Sequence, residues 1–219
     1  MWTALITVPM IRLMLRPQLA GRLRSHPVAF EKWQGRPITA LEGEIAEWPI
    51  DEYATVVPGP FSDPRDAEAA FERVRDRILR LRLFPPQSIS LYADTPDARA
   101  ALGATVVQHF FLGPLAVESG VRIVGLEDRA DDASRHVSLT WATLKGHPER
   151  GIETFSARMD AGGMIHVAIH ARSRPGALVV RLASPIARRL QVRLSHQSLA
   201  LLAKAAGDSQ GVVVARGSG

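Results

Sequence analysis

The chain has 219 residues, 46% of them hydrophobic, no cysteine and a formal net charge of +5. That is enough apolar material for one domain with a real core, which argues against wholesale disorder. Without cysteine there are no disulfides, no thiolate–zinc sites and no cysteine nucleophile. The charge is uneven: four arginines and no acid in residues 1–30, 15 basic against 21 acidic side chains in 31–160, and seven basic with no acid in 161–207. Cationic ends packing on an anionic middle would explain this. A basic surface for phosphate, nucleic acid or anionic lipid is the alternative.

The start, MWTALITVPMIRLMLRPQLAGRLR, lacks the positive charge ahead of its apolar stretch that a signal peptide carries, and Pro9 interrupts it. It reads as a packed or interfacial segment. No apolar run reaches the roughly 18–20 residues of a membrane-spanning helix. With the absence of cysteine this favours a cytoplasmic location, the basic start leaving room for peripheral membrane association.

Residues 27–62 are rich in proline, glycine and tryptophan and read as short strands and loops, closed by PGPFSDP. The stretch DPRDAEAAFERVRDRILRLRLFPP then predicts a helix. Asp63 is its N-cap, Pro64 its first position, and Phe71, Val74, Ile78 and Leu81 its apolar stripe, ended by Pro85-Pro86. SISLYA is a short strand. ATVVQHFFLGPLAVESGVRIVGLEDRA holds two or three strands, broken at Gly113-Pro114 and near Ser119-Gly120. RHVSLTWATL is another strand. IETFSARM and MIHVAIHARS form a hairpin across DAGG. From Gly176 onward Leu178, Leu182, Ile186, Leu190 and Leu194 recur every four residues, a C-terminal helix that Pro185 should kink or split.

Consecutive strands with short connections and segregated helices make the fold α+β, a curved antiparallel sheet packed around a long C-terminal helix. The expected division is an N-terminal extension over 1–52 packed on the domain, the domain itself over 53–206, and a flexible tail over 207–219.

The segment TLKGHPERGIETF resembles the signature TLxGHPxxGEExF of a family catalogued as domain of unknown function nineteen-ninety. Thr143, Leu144, Gly146, His147, Pro148, Gly151, Glu153 and Phe155 fall on its positions. GAT at 103–105, GPL at 113–115, Ser173-Arg174-Pro175 and PIARRLQ match further motifs in order, so the resemblance runs from about 53 to 205. Ile152 departs from it, standing where the family has the first of two glutamates. The resemblance implies no established activity. Its element order is similar to the START and birch-pollen-allergen folds, a helix-grip arrangement with a cavity for an apolar ligand, and fold alone does not fix function.

A two-residue turn that sets Asp160 opposite Gly163 would pair Glu153 with His170. It would put Glu153, His170 and Arg172 in a polar cluster on the outer face, and Ile152 and Thr154 with Ile165, Val167 and Ile169 on the buried one. His166 and His170 lie too far apart along a strand, roughly 13 Å, to share a metal ion. No metal site or cofactor is expected, and GxGxxG, GxxxxGK[ST] and GxSxG are absent.

Three readings stay open. The first is a domain binding, carrying or sensing an apolar or amphipathic small molecule, lined by Trp141, Ile165, Val167, Ile169, Leu182, Ile186 and Leu190, with Arg174 meeting a charged head group. The second is a hydrolase- or cyclase-type enzyme using His147 and Glu153 as an acid–base pair, although the missing catalytic motifs weigh against an enzyme. The third is a basic module binding anionic lipid or nucleic acid. The low aromatic content, 6%, argues against nucleic acid.

Overall fold

Asp63 opens the first long helix as its composition predicts: its carboxylate accepts the Arg65 backbone N–H at 2.8 Å, and Pro64 takes the first helical position. In this computed structural model the described residues are 7–8, 11–15, 28, 30–40, 42–57, 63–113, 115–131, 134–176, 184–207 and 213–217. The elements in order are β1 (Thr7–Val8), β2 (Ile11–Leu15), α1 (Glu31–Gln34), a 3-10 turn (Glu42–Ile45), β3 (Asp51–Val57), α2 (Pro64–Leu79), β4 (Ile89–Ala93), β5 (Thr105–Leu112), β6 (Leu115–Ala130), β7 (Arg135–Thr143), β8 (Glu149–Met159), β9 (Ile165–Pro175), α3 (Ser184–Ala206) and β10 (Val213–Gly217).

Among the described residues ten strands form the antiparallel sheet: seven run in the order β4-β5-β6-β7-β8-β9-β3, β10 pairs with β3, and β2, which carries β1, pairs with β6. The long strand β6 carries a register shift between Ile123 and Gly125, the kind of bulge that bends a sheet. Helices α2 and α3 lie on one face and touch each other. Between them and the sheet sits the main core, which includes Phe71, Val74 and Ile78 of α2, Leu199 and Leu202 of α3, and Leu139, Phe155, Ile165, Val167 and Ile169 of the sheet. This is the expected α+β fold, a curved sheet around a C-terminal helix.

Several local expectations are corrected. Helix α2 stops at Leu79, well before Pro85. Leu81 adopts φ 55°, its N–H bonds the Ile78 carbonyl, and the Arg82 N–H reaches back to the Arg77 carbonyl. That is a Schellman end with leucine in the left-handed position glycine usually takes, and burial of the leucine side chain offsets the strain. Pro185 is the second residue of α3, where a missing N–H breaks no bond, and the helical stretch expected ahead of it, 177–183, lies outside the described residues. Val213–Gly217, in the expected flexible tail, pairs with β3.

Strand β6 also runs unbroken through Ser119-Gly120. The glycine is there for a second layer. Residues 30–40 and 42–48 lie on the outer face of the sheet, and Trp33, 1% exposed, packs with Val107 and Leu144. A Cβ on Gly120 would stand 2.5, 2.6 and 2.9 Å from carbons of the Trp33 side chain. Gly120→Ala is therefore expected to lower stability by about 1–3 kcal/mol, read as a lower denaturation midpoint at unchanged m-value. The Trp33 indole N–H also donates to Glu118 at 3.3 Å, where Lys32 Nζ adds a contact at 3.0 Å. Burial alone would raise the Glu118 carboxyl, but the His109 ring, Lys32 and Trp33 outweigh it and hold it at about 2.

Candidate functional site

The β8–β9 hairpin decides which side chains reach the space under α3. Its turn has three residues, not two. Asp160 pairs with Met164, its Oδ1 accepts the Gly162 and Met164 N–H groups at 3.0 Å each, and Gly163 takes φ 78°. This is the three-residue loop with a left-handed glycine at its end. The pairing is consequently Glu153 with Ala171 and Phe155 with Ile169, one residue from the expected register. Every side chain of β8 changes face. Glu153 and Phe155 point inward, and Ile152 and Thr154 lie on the outer side with His170 and Arg172. The expected outer cluster of Glu153, His170 and Arg172 does not form. His170 stands 3.4 Å from Glu52, and Arg172 donates to the carbonyls of Ala46 and Trp48.

Between the inner face of the sheet and α3 lies a cavity of about 270 Å³. Phe84, Ile89, Phe110 and Trp141 line its apolar wall, closed by Leu190 and Leu194 of α3. The Phe84, Trp141 and Phe155 rings form a packed trio with centroids 4.9 to 6.4 Å apart. Into this apolar space project Gln108, His147, Glu149 and Glu153.

The connection between β7 and β8 places His147. Leu144 is fully buried in the outer cluster with Trp33, and the His147 N–H donates to the Leu144 carbonyl at 2.9 Å across Gly146, φ 101°. Leucine thus anchors the turn outward while histidine anchors it inward. The Glu149 backbone N–H donates to His147 Nδ1 at 3.0 Å. Nδ1 also lies 3.1 Å from the Glu149 carbonyl oxygen, and Nε2 lies 3.2 Å from Gln108 Oε1. Ser119 Oγ donates to the same oxygen at 3.1 Å. Burial pushes the imidazole down to about 4, so it is neutral at physiological pH.

Gly151 lets β8 pass beside β9 at this point. A Cβ there would lie 2.0 Å from the Arg172 carbonyl oxygen and 2.7 Å from the Ser173 Cα. Its N–H donates to Thr143 Oγ1 at 3.0 Å. With Gly151 so placed, Glu149 and Glu153 both face the cavity. Burial pushes Glu153 up to about 8, helped by the charge of Glu149, while the Trp141 indole N–H, 3.2 Å from Oε2, pulls the other way. Burial likewise pushes Glu149 up to about 7, against the Ser173 hydroxyl and the Arg188 charge. Arg188 itself is engaged by Asp51, and its neighbour Gln191 donates to Ser173 Oγ at 3.1 Å.

Of the residues expected to line a pocket, Trp141 and Leu190 do so. Ile165, Val167 and Ile169 are fully buried in the core to one side of it. Arg174 points outward, its guanidinium 4.7 Å over the Trp48 ring. Leu182 and the side chain of Ile186 lie outside the described residues. His147 and Glu153 both reach the cavity, but both ring nitrogens of His147 are already taken, and the hydrogen-bond partner of Glu153 is Trp141. Glu149, Gln108 and Ser173 were not expected here. Alternation from an inward Glu153 would have pointed to Glu149, had the turn been read correctly.

No helix among the described residues is long and apolar enough to cross a membrane. Among solved structures, major latex-like protein 151 from Panax ginseng is similar over 72% of this chain and 94% of that one, at 13% identity and a TM-score of 0.38. Norcoclaurine synthase from Thalictrum flavum, in complex with dopamine and hydroxybenzaldehyde, is similar over 74% and 91% at 9% identity and a TM-score of 0.39. A protein from Thermus thermophilus is similar over 72% and 97% at 11% identity and a TM-score of 0.42. Likenesses this distant carry no functional argument, and the helix-grip fold rests on the strand order itself. No curated protein matches the sequence. The family model does: it spans residues 40–201, including the Gly146-His147-Pro148 turn, Gly151 and Glu153, and the chain belongs to the family described as Domain of unknown function (DUF1990).

Proposed function

We propose that this protein binds an apolar or amphipathic small molecule between its sheet and C-terminal helix. The observation that carries the reading is the cavity, about 270 Å³ with aromatic and aliphatic walls and a few convergent polar groups. An unfilled apolar space of this size is costly to stability, by on the order of 20 cal/mol per Å³ in cavity-forming substitutions. Concave, largely apolar spaces with a few fixed polar groups are how small-molecule sites are built.

Ala171 lies on the cavity wall and is 4% exposed. Ala171→Phe fills the space from β9 and is expected to weaken binding of a neutral probe, 4-phenylbutanol, by about tenfold or more, equivalent to at least ~1.4 kcal/mol. Calorimetric titration of both proteins checks this, with solvent extraction and mass spectrometry of the purified wild type as a second readout. A wild type that takes up no probe and releases no small molecule would sink the reading.

A further inference from the structure

Among the described residues, the charged side chains lining the cavity besides His147 are both acidic, Glu149 and Glu153, with no lysine or arginine. Among the described residues each acid has a neutral partner: the Trp141 indole N–H for Glu153 and the Ser173 hydroxyl for Glu149. Both carboxyls are half-buried and open on the cavity, where a carboxylate is stabilised by a cation or by several donors, and no cation stands on the wall among the described residues. Arg188 does not supply it, because its guanidinium is engaged by Asp51.

Gln108 points to a ligand independently. It is 3% exposed and lines the same cavity. One end of its amide lies 3.2 Å from His147 Nε2 and 3.1 Å from Ser119 Oγ. The other end has no protein partner among the described residues. The wall therefore offers two acids and one neutral amide, set in aromatic surroundings.

Resting on the reading that the cavity holds a ligand, we propose that the ligand is an amine on an apolar body, its ammonium held by Glu149 and Glu153 beside the Gln108 amide. The match is one of charge sign, in which the ligand supplies the cation that the protein withholds. On binding, one of the two carboxyl groups releases its proton to solvent and pairs with the ammonium as a carboxylate. The second stays protonated and hydrogen-bonds within the site. The other titratable groups around the pair are His147 on the connecting turn, Asp51 and Tyr53 on β3, and Arg188 on α3. Asp51 and Arg188 neutralise each other, and His147 is held neutral by burial.

The test is calorimetric titration of the full chain with three isosteric probes: 4-phenylbutylamine, 4-phenylbutanol and 4-phenylbutyrate. At pH 7 the amine is expected to bind about tenfold more tightly than the alcohol, the margin a single close charge pair supplies, with the carboxylate weakest. Raising the pH from 6 to 8.5 should tighten the amine and weaken the alcohol. Titration in buffers of different ionisation enthalpy should show proton release with the amine alone. Glu153→Gln should bring the amine-to-alcohol ratio close to one, and Glu149→Gln provides the same comparison should the first variant fail to fold. Equal binding of amine and alcohol by the wild type, or a ratio that neither substitution lowers, overturns the amine assignment while leaving the apolar-ligand reading intact. Failure of all three probes to bind removes both.

Discussion

Gly151→Ala is expected to lower stability by about 3 kcal/mol or more, at the upper end of overpacking effects, because the obstacle is backbone. A Cβ at this position would overlap the Arg172 carbonyl at 2.0 Å, and neither strand can yield without breaking the β8–β9 ladder. Gly43→Ala makes the control, since a Cβ there meets nothing within 4 Å. Equilibrium denaturation of the two variants compares them directly. The consequence reaches the site as well. Gly151 lies between Glu149 and Glu153 on β8, so separating the strands would displace both carboxyls and release the Thr143 hydroxyl that accepts the Gly151 N–H. Equal stability of the two alanine variants would mean that the close approach is not real.

The second large effect is a fall in stability above neutral pH. Glu153 and Glu149 are held at about 8 and about 7 in the folded chain, against an ordinary glutamate value of 4.5. The folded state binds these protons more tightly than the unfolded state does. Their contribution is therefore fully present below 4.5 and is lost as the pH rises through 7 and 8. His147 works in the opposite sense. Held at about 4 against an ordinary 6.5, it contributes stability that is present above 6.5 and lost as the pH falls through 4. The range from 6.5 to 9 thus isolates the carboxyl pair. Across it the unliganded protein should lose roughly 2–3 kcal/mol, released in two coupled steps, and Glu153→Gln should remove most of that loss. Denaturant titrations at pH 6.5, 8 and 9 measure it. A flat or rising profile for the wild type would contradict the placement of the two acids in the cavity.

Much of the architecture was legible because local signals and tertiary packing agreed. The Asp63-Pro64 start, the α2 stripe and the alternation of β7 and β9 each had one physical reading. Where sequence reasoning missed, a tertiary partner decided the outcome. Gly120 read as a strand break, but it makes room for Trp33, which approaches from far away in sequence. Leu81 gave no sign that it would take a helix terminus glycine usually takes, because that depends on burial of its side chain. The site turned on one residue of loop length. With DAGG read as a two-residue turn, Glu153 sat on the outer face. The Asp160 side chain, bonded to two backbone N–H groups, lengthens the turn and moves the glutamate into the cavity.

The family signature becomes intelligible in the same terms. Gly146 and Gly151 serve a left-handed turn and a close strand approach, and His147 orients Gln108. Ile152, which replaces the first glutamate of the family pair, lies on the outer side of β8. The departure therefore leaves both inward acids in place, Glu153 at a signature position and Glu149 at the variable position after Pro148.

The most direct measurement is an amide-resolved NMR titration of the full chain with 4-phenylbutanol, repeated on Ala171→Phe. The cavity account predicts a single saturable site. Its shifts should centre on Trp141, Gly151, Glu153, Ala171 and Leu194, leave the Trp33 layer untouched, and be lost or strongly weakened in the variant. Shifts confined to the outer layer, or equal in the two proteins, would contradict it.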